Sequence, residues 1–370
     1  MIRLYLQLSF IAMTTPIISQ DESTLPNTGI SGVYEVMIGI DDIDYALKYF
    51  DAFGFTVVDS ASFSRDEANE LYGVSSALTS YRLQNGNIDS HGLIRLLKWE
   101  HPTGPGVGYS PPETIGQRMS VMRTEDIFRL NDIYTQARAS GEKWLPTHPI
   151  ADDLFDLDQG EKGFFNRPVV VRENAVYGAF FNHVFFQRYG YQIPGYGTIG
   201  EHAPLKTSEF THHDFIISAT DMKAMSYMSS ALGLMAEEEP VLDGDWQKGP
   251  KAVFMMADGE SHWYQGFVSP NNICGKLKFF IPTSVKTDRS ERQQIGKLGI
   301  TLHSFYTAKL DYVHELVTMH DLNPTSVNTN EFGERCFVFS GPGGCHWQII
   351  EKASTQHKPE TELKFELTNH

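Results

Sequence analysis

One pattern recurs along this chain and limits what it can fold into, because a repeated supersecondary unit sets the whole architecture. The segment VYEVMIGIDDIDYALKYFDAFGF, residues 33–55, alternates at first like a half-buried strand. It then carries Ile43, Leu47 and Phe50 at helical spacing and closes on Gly54. The segment THHDFIISATDMKAMSYMSSALGL, beginning at Thr211, repeats it, and in both copies the aspartate precedes the glycine by twelve residues (Asp42 to Gly54, Asp221 to Gly233). Each aspartate stands where a helix start needs an acceptor, and each glycine where a helix end favours a left-handed residue. Weaker copies lie at 116–141 and 299–322, and β-rich stretches follow at 78–99, 168–188, 251–268 and 335–352. The expected fold class is α+β, with four βαβββ units in two paired, cup-like mixed-sheet halves, since three strands follow each helix by short turns. The units divide into a leader (1–30), an N-terminal pair (31–190), a Gly/Pro-rich linker (191–209), a C-terminal pair (210–353) and a polar tail (354–370).

Composition narrows the partners. The chain has 370 residues, which at about 100–200 per domain suits two domains or duplicated halves. Its 46 acidic against 30 basic residues give a net charge of −16, a field that repels phosphate backbones and anionic lipid. Neither nucleic acid nor a membrane surface is expected as a partner. The three cysteines form no CxxC, so neither a disulfide framework nor a thiolate zinc cluster is expected. A reducing, cytoplasmic setting follows, although Arg3 and the apolar residues 4–12 resemble a weak signal peptide and leave export open. Met13 opens a polar stretch, MTTPIISQDES, that reads as an alternative start to Met1.

A βαβββ unit that opens on a strand and continues into a D-x-D-x-A-x-x-[YF]-type helix resembles the vicinal oxygen chelate superfamily. That superfamily includes glyoxalase I, methylmalonyl-CoA epimerase, extradiol dioxygenases and bleomycin-resistance proteins. The resemblance spans about 33–352. It implies cups that each hold one divalent metal between the first and last strands of paired units, with open positions for vicinal substrate oxygens. His213-x-Phe215 precedes Asp221 by eight residues and His303-x-Phe305 precedes Asp311 by eight. The ending GPGGCHWQIIEK places Gln348 where the family's ligand glutamate sits. The implied metal site is His213, His303 and Gln348, with His212 or Glu351 as alternatives. The metal would be Fe2+, Zn2+, Mn2+, Ni2+ or Co2+. In the first pair, Glu35, Arg95, Arg118 and Asn182 fall near ligand positions, and one carboxylate with two arginines reads as a buried ion-pair set.

Two further histidines sit in a second repeated pair, SHWY and CHWQ. His262 and His346 are the candidate catalytic acid/base groups, against the plainer reading of packing and surface pairs. Cys336 and Cys345 read as small hydrophobes, and GPGGC as a hairpin turn. The expected function is a metal-dependent enzyme of isomerase, epimerase or lyase type, moving a proton on a small oxygenated carbonyl substrate. One alternative is a ring-cleaving, extradiol-type iron dioxygenase. Gln348 speaks against that, as does Val338, which stands where such enzymes carry a tyrosine. The other alternative is a metal-free binding or resistance protein. The expected partner is a small molecule with vicinal oxygens, bound by a monomer or homodimer, and the loops at 152–163 and 237–249 are expected to shape its pocket.

Overall fold

The computed structural model describes residues 25–153, 169–237, 240–353 and 366–367. Most of the leader, the tail and the 152–163 loop lie outside the described residues. Unit one contains β1 (Glu35–Gly39), α1 (Ile43–Ala52), β2 (Phe55–Phe63), an additional helix α2 (Arg65–Tyr72), β3 (Leu78–Asn85) and β4 (Leu93–Trp99). Unit two contains β5 (Arg118–Thr124), α3 (Ile127–Ala139), β6 (Trp144–Pro146), β7 (Ile150–Asp153), β8 (Val170–Gly178) and β9 (His183–Tyr189). The linker holds the short β10 (Tyr191–Gln192). Unit three contains β11 (Thr207–Ile216), α4 (Ala219–Lys223), α5 (Tyr227–Ser230), β12 (Met235–Ala236), β13 (Val241–Gly244), α6 (Lys248–Val253), β14 (Ser261–Ser269) and β15 (Asn272–Pro282). Unit four contains β16 (Gly299–Thr307), α7 (Leu310–Met319), β17 (Asn328–Thr329), β18 (Arg335–Gly341) and β19 (Cys345–Glu351). The two-residue β20 (Glu366–Leu367) pairs with β10.

The helix signals are met locally. Asp42 caps α1 by accepting the Tyr45 N–H, and Gly54 and Gly233 both take positive φ. Unit three departs from the expectation. Ser218 is its cap, Asp221 sits one turn inside, and the helix breaks into the short α4 and α5. The stretch 251–268 is also not uniformly β, because it begins in α6. The GPGG segment is a tight 3-10 turn between β18 and β19.

The strands form two large mixed sheets. Sheet one runs β17-β18-β19-β16-β1-β4-β3-β2, and sheet two runs β12-β14-β15-β11-β5-β9-β8-β6. Unit one therefore pairs with unit four, and unit two with unit three. This corrects the expected division into an N-terminal pair and a C-terminal pair. The linker lets β11 lie antiparallel against β5, in register Asp214↔Met119. The open edges of β1 and β16 are then left to close on each other, in register Glu35↔Ser304.

The two sheets face each other across their helices. Phe50 of α1 and Leu130 of α3 join Val36 and Ile94 of sheet one with Met122 and Phe185 of sheet two in one core. Tyr227, Val313 and Leu316 join Phe215 and Phe279 with Phe305, Phe337 and Trp347 in another. The outer face of each sheet carries its own cluster. Around Tyr72, Trp99 and Val338 it lies against α2, and around Met119, Tyr177 and Phe280 it lies beneath Val253, Phe254 and Met256, at the end of α6. Among the described residues, no helix is long and apolar enough to cross a membrane.

Candidate functional site

Strand alternation separates the expected metal ligands. His213 and His303 do meet, with ring centroids 5.1 Å apart, but they meet on the inner faces between the sheets among Phe215, Phe210 and Trp347. On β19 it is Trp347 that registers with His303, whereas Gln348 registers with Ser304. Gln348 therefore points to the outer face of sheet one, where its amide nitrogen donates to the Tyr72 hydroxyl and the Cys336 sulfur. His213, His303 and Gln348 do not form one site. Burial drives both histidines toward the neutral form, pushing His213 to about 3 and His303 well below its usual value. Glu351 lies at the edge in an ion pair with Arg335.

The outer face of sheet one is closed by charge. Burial alone would raise the pKa of Glu35, but Arg82 and Arg95 hold it at about 2. Glu35 accepts from Arg82 Nε at 2.6 Å, from the Arg95 guanidinium and from Ser304 Oγ at 2.9 Å. Arg82 forks onto Glu334 at 3.0 and 2.7 Å, and Arg95 reaches Glu331 at 3.3 Å. Phe332 lies under both guanidinium groups, 4.2 Å from Arg82 and 5.1 Å from Arg95. Arg118 belongs elsewhere, donating to the Gly343 carbonyl at the sheet seam, and Asn182 caps backbone groups of Gly178 and Arg118.

The outer face of sheet two carries unspent chemistry. His212 and Asp214 alternate along β11, Lys278 stands beside Asp214 on β15, and His262 and Tyr264 project from β14 to the same side. His262 Nδ1 lies 2.7 Å from Glu113 Oε1, and Glu113 also pairs with Lys286 at 2.8 Å. Glu113 takes a positive φ of 58°, an uncommon conformation for a glutamate, and is fully buried. His262 Nε2 is buried without a hydrogen-bond partner, 3.6 Å from Asp243 Oδ2. Burial works against charging His262, but Asp243 and Glu113 raise its pKa overall. Burial pushes Asp214 up to about 7, with Lys278 and His262 offsetting only part of the shift. Asp214 Oδ1 likewise has no hydrogen-bond partner. Phe254 and Phe280 wall in the imidazole at 4.7 and 4.9 Å. Lys278 and Tyr264, on the same face, are half-buried.

Of the two expected acid/base histidines, only His262 has a ring nitrogen without a hydrogen bond. Both His346 nitrogens are occupied, Nδ1 with Ser340 Oγ at 2.7 Å and Nε2 with the Gln293 carbonyl at 2.9 Å. His346 ties a hairpin to its neighbour. Glu113, Asp214, Asp243 and Lys278 went unnoticed in the sequence. The HHD run on β11 and the alternation KLKFF on β15 were signals for Asp214 and Lys278. Glu113 sits in a loop and Asp243 on a short strand, and neither carries a periodic signal.

The metal implied by the resemblance does not fit either outer face. On sheet one, the Arg95 guanidinium and its carboxylate partners fill the ligand positions. On sheet two, the positions flanking His212 and Asp214 are Val121, Met119, Lys276 and Lys278, which supply no further acceptor. His212 itself is engaged at Nδ1 by the Tyr196 hydroxyl at 2.7 Å. Among the described residues, the one cluster of three mixed donors is His91, Glu209 and Cys274.

No protein-family model matches the chain, and no curated protein sequence matches it. Solved structures do. A point mutant of glyoxalase I from Zea mays superposes with a TM-score of 0.50 at 12% identity, covering 87% of this chain and 94% of that one. Glyoxalase I from Zea mays itself gives 0.49 at 11% identity, covering 86% and 92%. A catechol 2,3-dioxygenase gives 0.24 at 12% identity, covering 90% and 91%. The chain has the fold of glyoxalase I.

Proposed function

We propose that this chain is a proton-transfer enzyme of isomerase or lyase type, acting on a small carbonyl compound with an adjacent oxygen on the outer face of sheet two. One observation carries the reading: His262 is fixed by Glu113 at Nδ1 while its buried Nε2 makes no hydrogen bond and has the Asp243 carboxylate 3.6 Å away. With Glu113 accepting the Nδ1 proton, Nε2 is the basic nitrogen. It takes the proton from the carbon beside the carbonyl, and Glu113 stabilises the imidazolium that forms. Lys278, beside Asp214 on the adjacent strand, is the cation that draws electron density onto the carbonyl oxygen, a role that family members give to a metal. Asp214, with its pKa near neutrality, supplies the acid that returns a proton to the neighbouring oxygen or carbon. Asp243 stands near Nε2 at the rim and hands the captured proton toward solvent.

The dioxygenase alternative needs two imidazoles and a carboxylate around iron, and neither outer face gathers that set among the described residues. The test is exchange of carbon-bound hydrogen for deuterium, followed by proton NMR in D2O. The panel consists of hydroxyketones, 2-oxo acids and 2-hydroxy thioesters. Exchange by the wild type, slowed about 10²–10⁴-fold in His262→Gln, supports the proposal. Compounds that bind on this face without exchanging would replace it with a non-catalytic ligand cup.

A further inference from the structure

We propose that His91, Glu209 and Cys274 form a divalent metal site, best suited to Zn2+, at the junction of the two sheets and made of residues other than those of the proton-transfer site. The three residues come from separate segments: the loop between β3 and β4, the start of β11 and the start of β15. One donor atom from each lies within 4.8 Å of the other two, and all three side chains are buried. His91 Nε2 and Glu209 Oε1 stand 3.4 Å apart. A tetrahedral ion with ligand bonds of about 2.0–2.3 Å holds its donors about 3.3–3.6 Å apart, so the His91–Glu209 pair already stands at ligand separation.

The surroundings hold the donors in place. Ser90 Oγ lies 3.0 Å from His91 Nδ1, which orients the ring and leaves Nε2 for the cluster. Glu209 is braced by the backbone N–H groups of Gly197 and Thr198 at 3.1 and 2.9 Å. Cys274 donates its thiol proton to the Gly195 carbonyl at 3.1 Å. Gly92 has a φ of +67°, and a Cβ there would lie 2.5 Å from the Phe210 carbonyl oxygen and 3.1 Å from Glu209 Cγ. Its bare backbone brings the His91 loop onto β11. A thiolate, an imidazole and a carboxylate together suit zinc better than magnesium or calcium, which prefer oxygen alone. The fourth position would fall to water or a backbone oxygen. The site would pin the linker and sheet two to the first unit of sheet one. No CxxC spacing announces it, because its three ligands are far apart in sequence.

The experiment uses the full chain, purified without a metal-binding tag, with zinc content measured by mass spectrometry and Co2+ used as a spectroscopic probe. The expected result is about one equivalent of zinc. The Co2+ protein should show a thiolate-to-cobalt charge-transfer band that is lost in Cys274→Ser and kept in Cys336→Ser, Cys345→Ser and His262→Gln. If Cys274→Ser does not fold, His91→Gln and Glu209→Gln serve instead, with metal affinity expected to fall at least tenfold. Wild-type protein that takes up neither zinc nor cobalt, or a band that persists in folded Cys274→Ser, overturns the proposal. Because His262→Gln keeps its metal on this account, failure of the proton-transfer reading leaves this test unaffected.

Discussion

The imidazole rings of His213 and His303 meet edge to face, 75° apart in plane and 5.1 Å between centroids, across the seam of the two sheets, and neither Nε2 has a hydrogen-bond partner. Ser120 Oγ engages His213 at Nδ1, and phenylalanine and tryptophan rings surround the pair. Here the histidines are neutral core residues, and a third, His183, lies buried with both nitrogens unpartnered beside Tyr49, Phe53 and Phe185.

These three histidines make the fold sensitive to acid. Burial lowers their folded pKa values below the unfolded value of about 6.5, so below that pH the unfolded chain binds protons that the folded chain refuses. Their stabilisation is full above pH 6.5 and declines as the pH falls toward about 3 for His213. Each contributes a slope of up to about 1.4 kcal/mol per pH unit. Urea midpoints at pH 7.5, 6 and 5 should fall, and His213→Phe should flatten the decline. An unchanged slope in that variant would mean that the ring is protonated in the folded state.

Removing the charge of Glu35 should be severe. Glu35→Gln leaves Arg95 buried with only Glu331 and Tyr72 as partners, and a broken buried pair costs about 3–5 kcal/mol. The double variant Glu35→Met/Arg95→Met removes both charges and should recover most of the loss. Additive losses in denaturant titrations would show that the two groups do not act as a pair.

Glu113→Gln tests positioning. A neutral amide supports the imidazolium less, so the His262 pKa should fall and the acid limb of kcat/KM should move to lower pH, with a reduced maximum. A purely structural role for Glu113 would lower the maximum and leave the limb where it is.

Gly32→Ala should destabilise the chain by about 1–3 kcal/mol. A Cβ on Gly32 would sit 2.0 Å from the Cys274 carbonyl oxygen, a backbone atom that cannot rotate away. Thermal melting of the variant checks this, and an unchanged midpoint would mean that the 30–34 segment is free to shift.

The repeat, the helix cap at Asp42 and the ion-pair character of the Glu35 face were legible because each is a local pattern, whereas the cap expected at Asp221 fell to Ser218. The partner of each unit was not, because alternation says which face a side chain takes and nothing about which strand lies alongside. The H-x-F offset also carried a signal that counted against the metal reading. Residues two apart share a face, and the phenylalanines beside His213 and His303 are core residues. Gln348 failed by a single residue of register, which on a strand reverses the side. His262 was legible as a candidate, while the groups that tune it come from distant segments.

The nesting of units two and three inside units one and four bears on synthesis. During translation, sheet two can close as soon as β15 leaves the ribosome, but β1 must wait for β16, whose Ser304 lies 269 residues beyond Glu35. At about 5–20 residues per second, that wait lasts roughly 13–55 seconds. Until then the nascent chain presents the unpaired edge of the five-residue β1, a stretch of exposed N–H and C=O groups open to pairing with another chain.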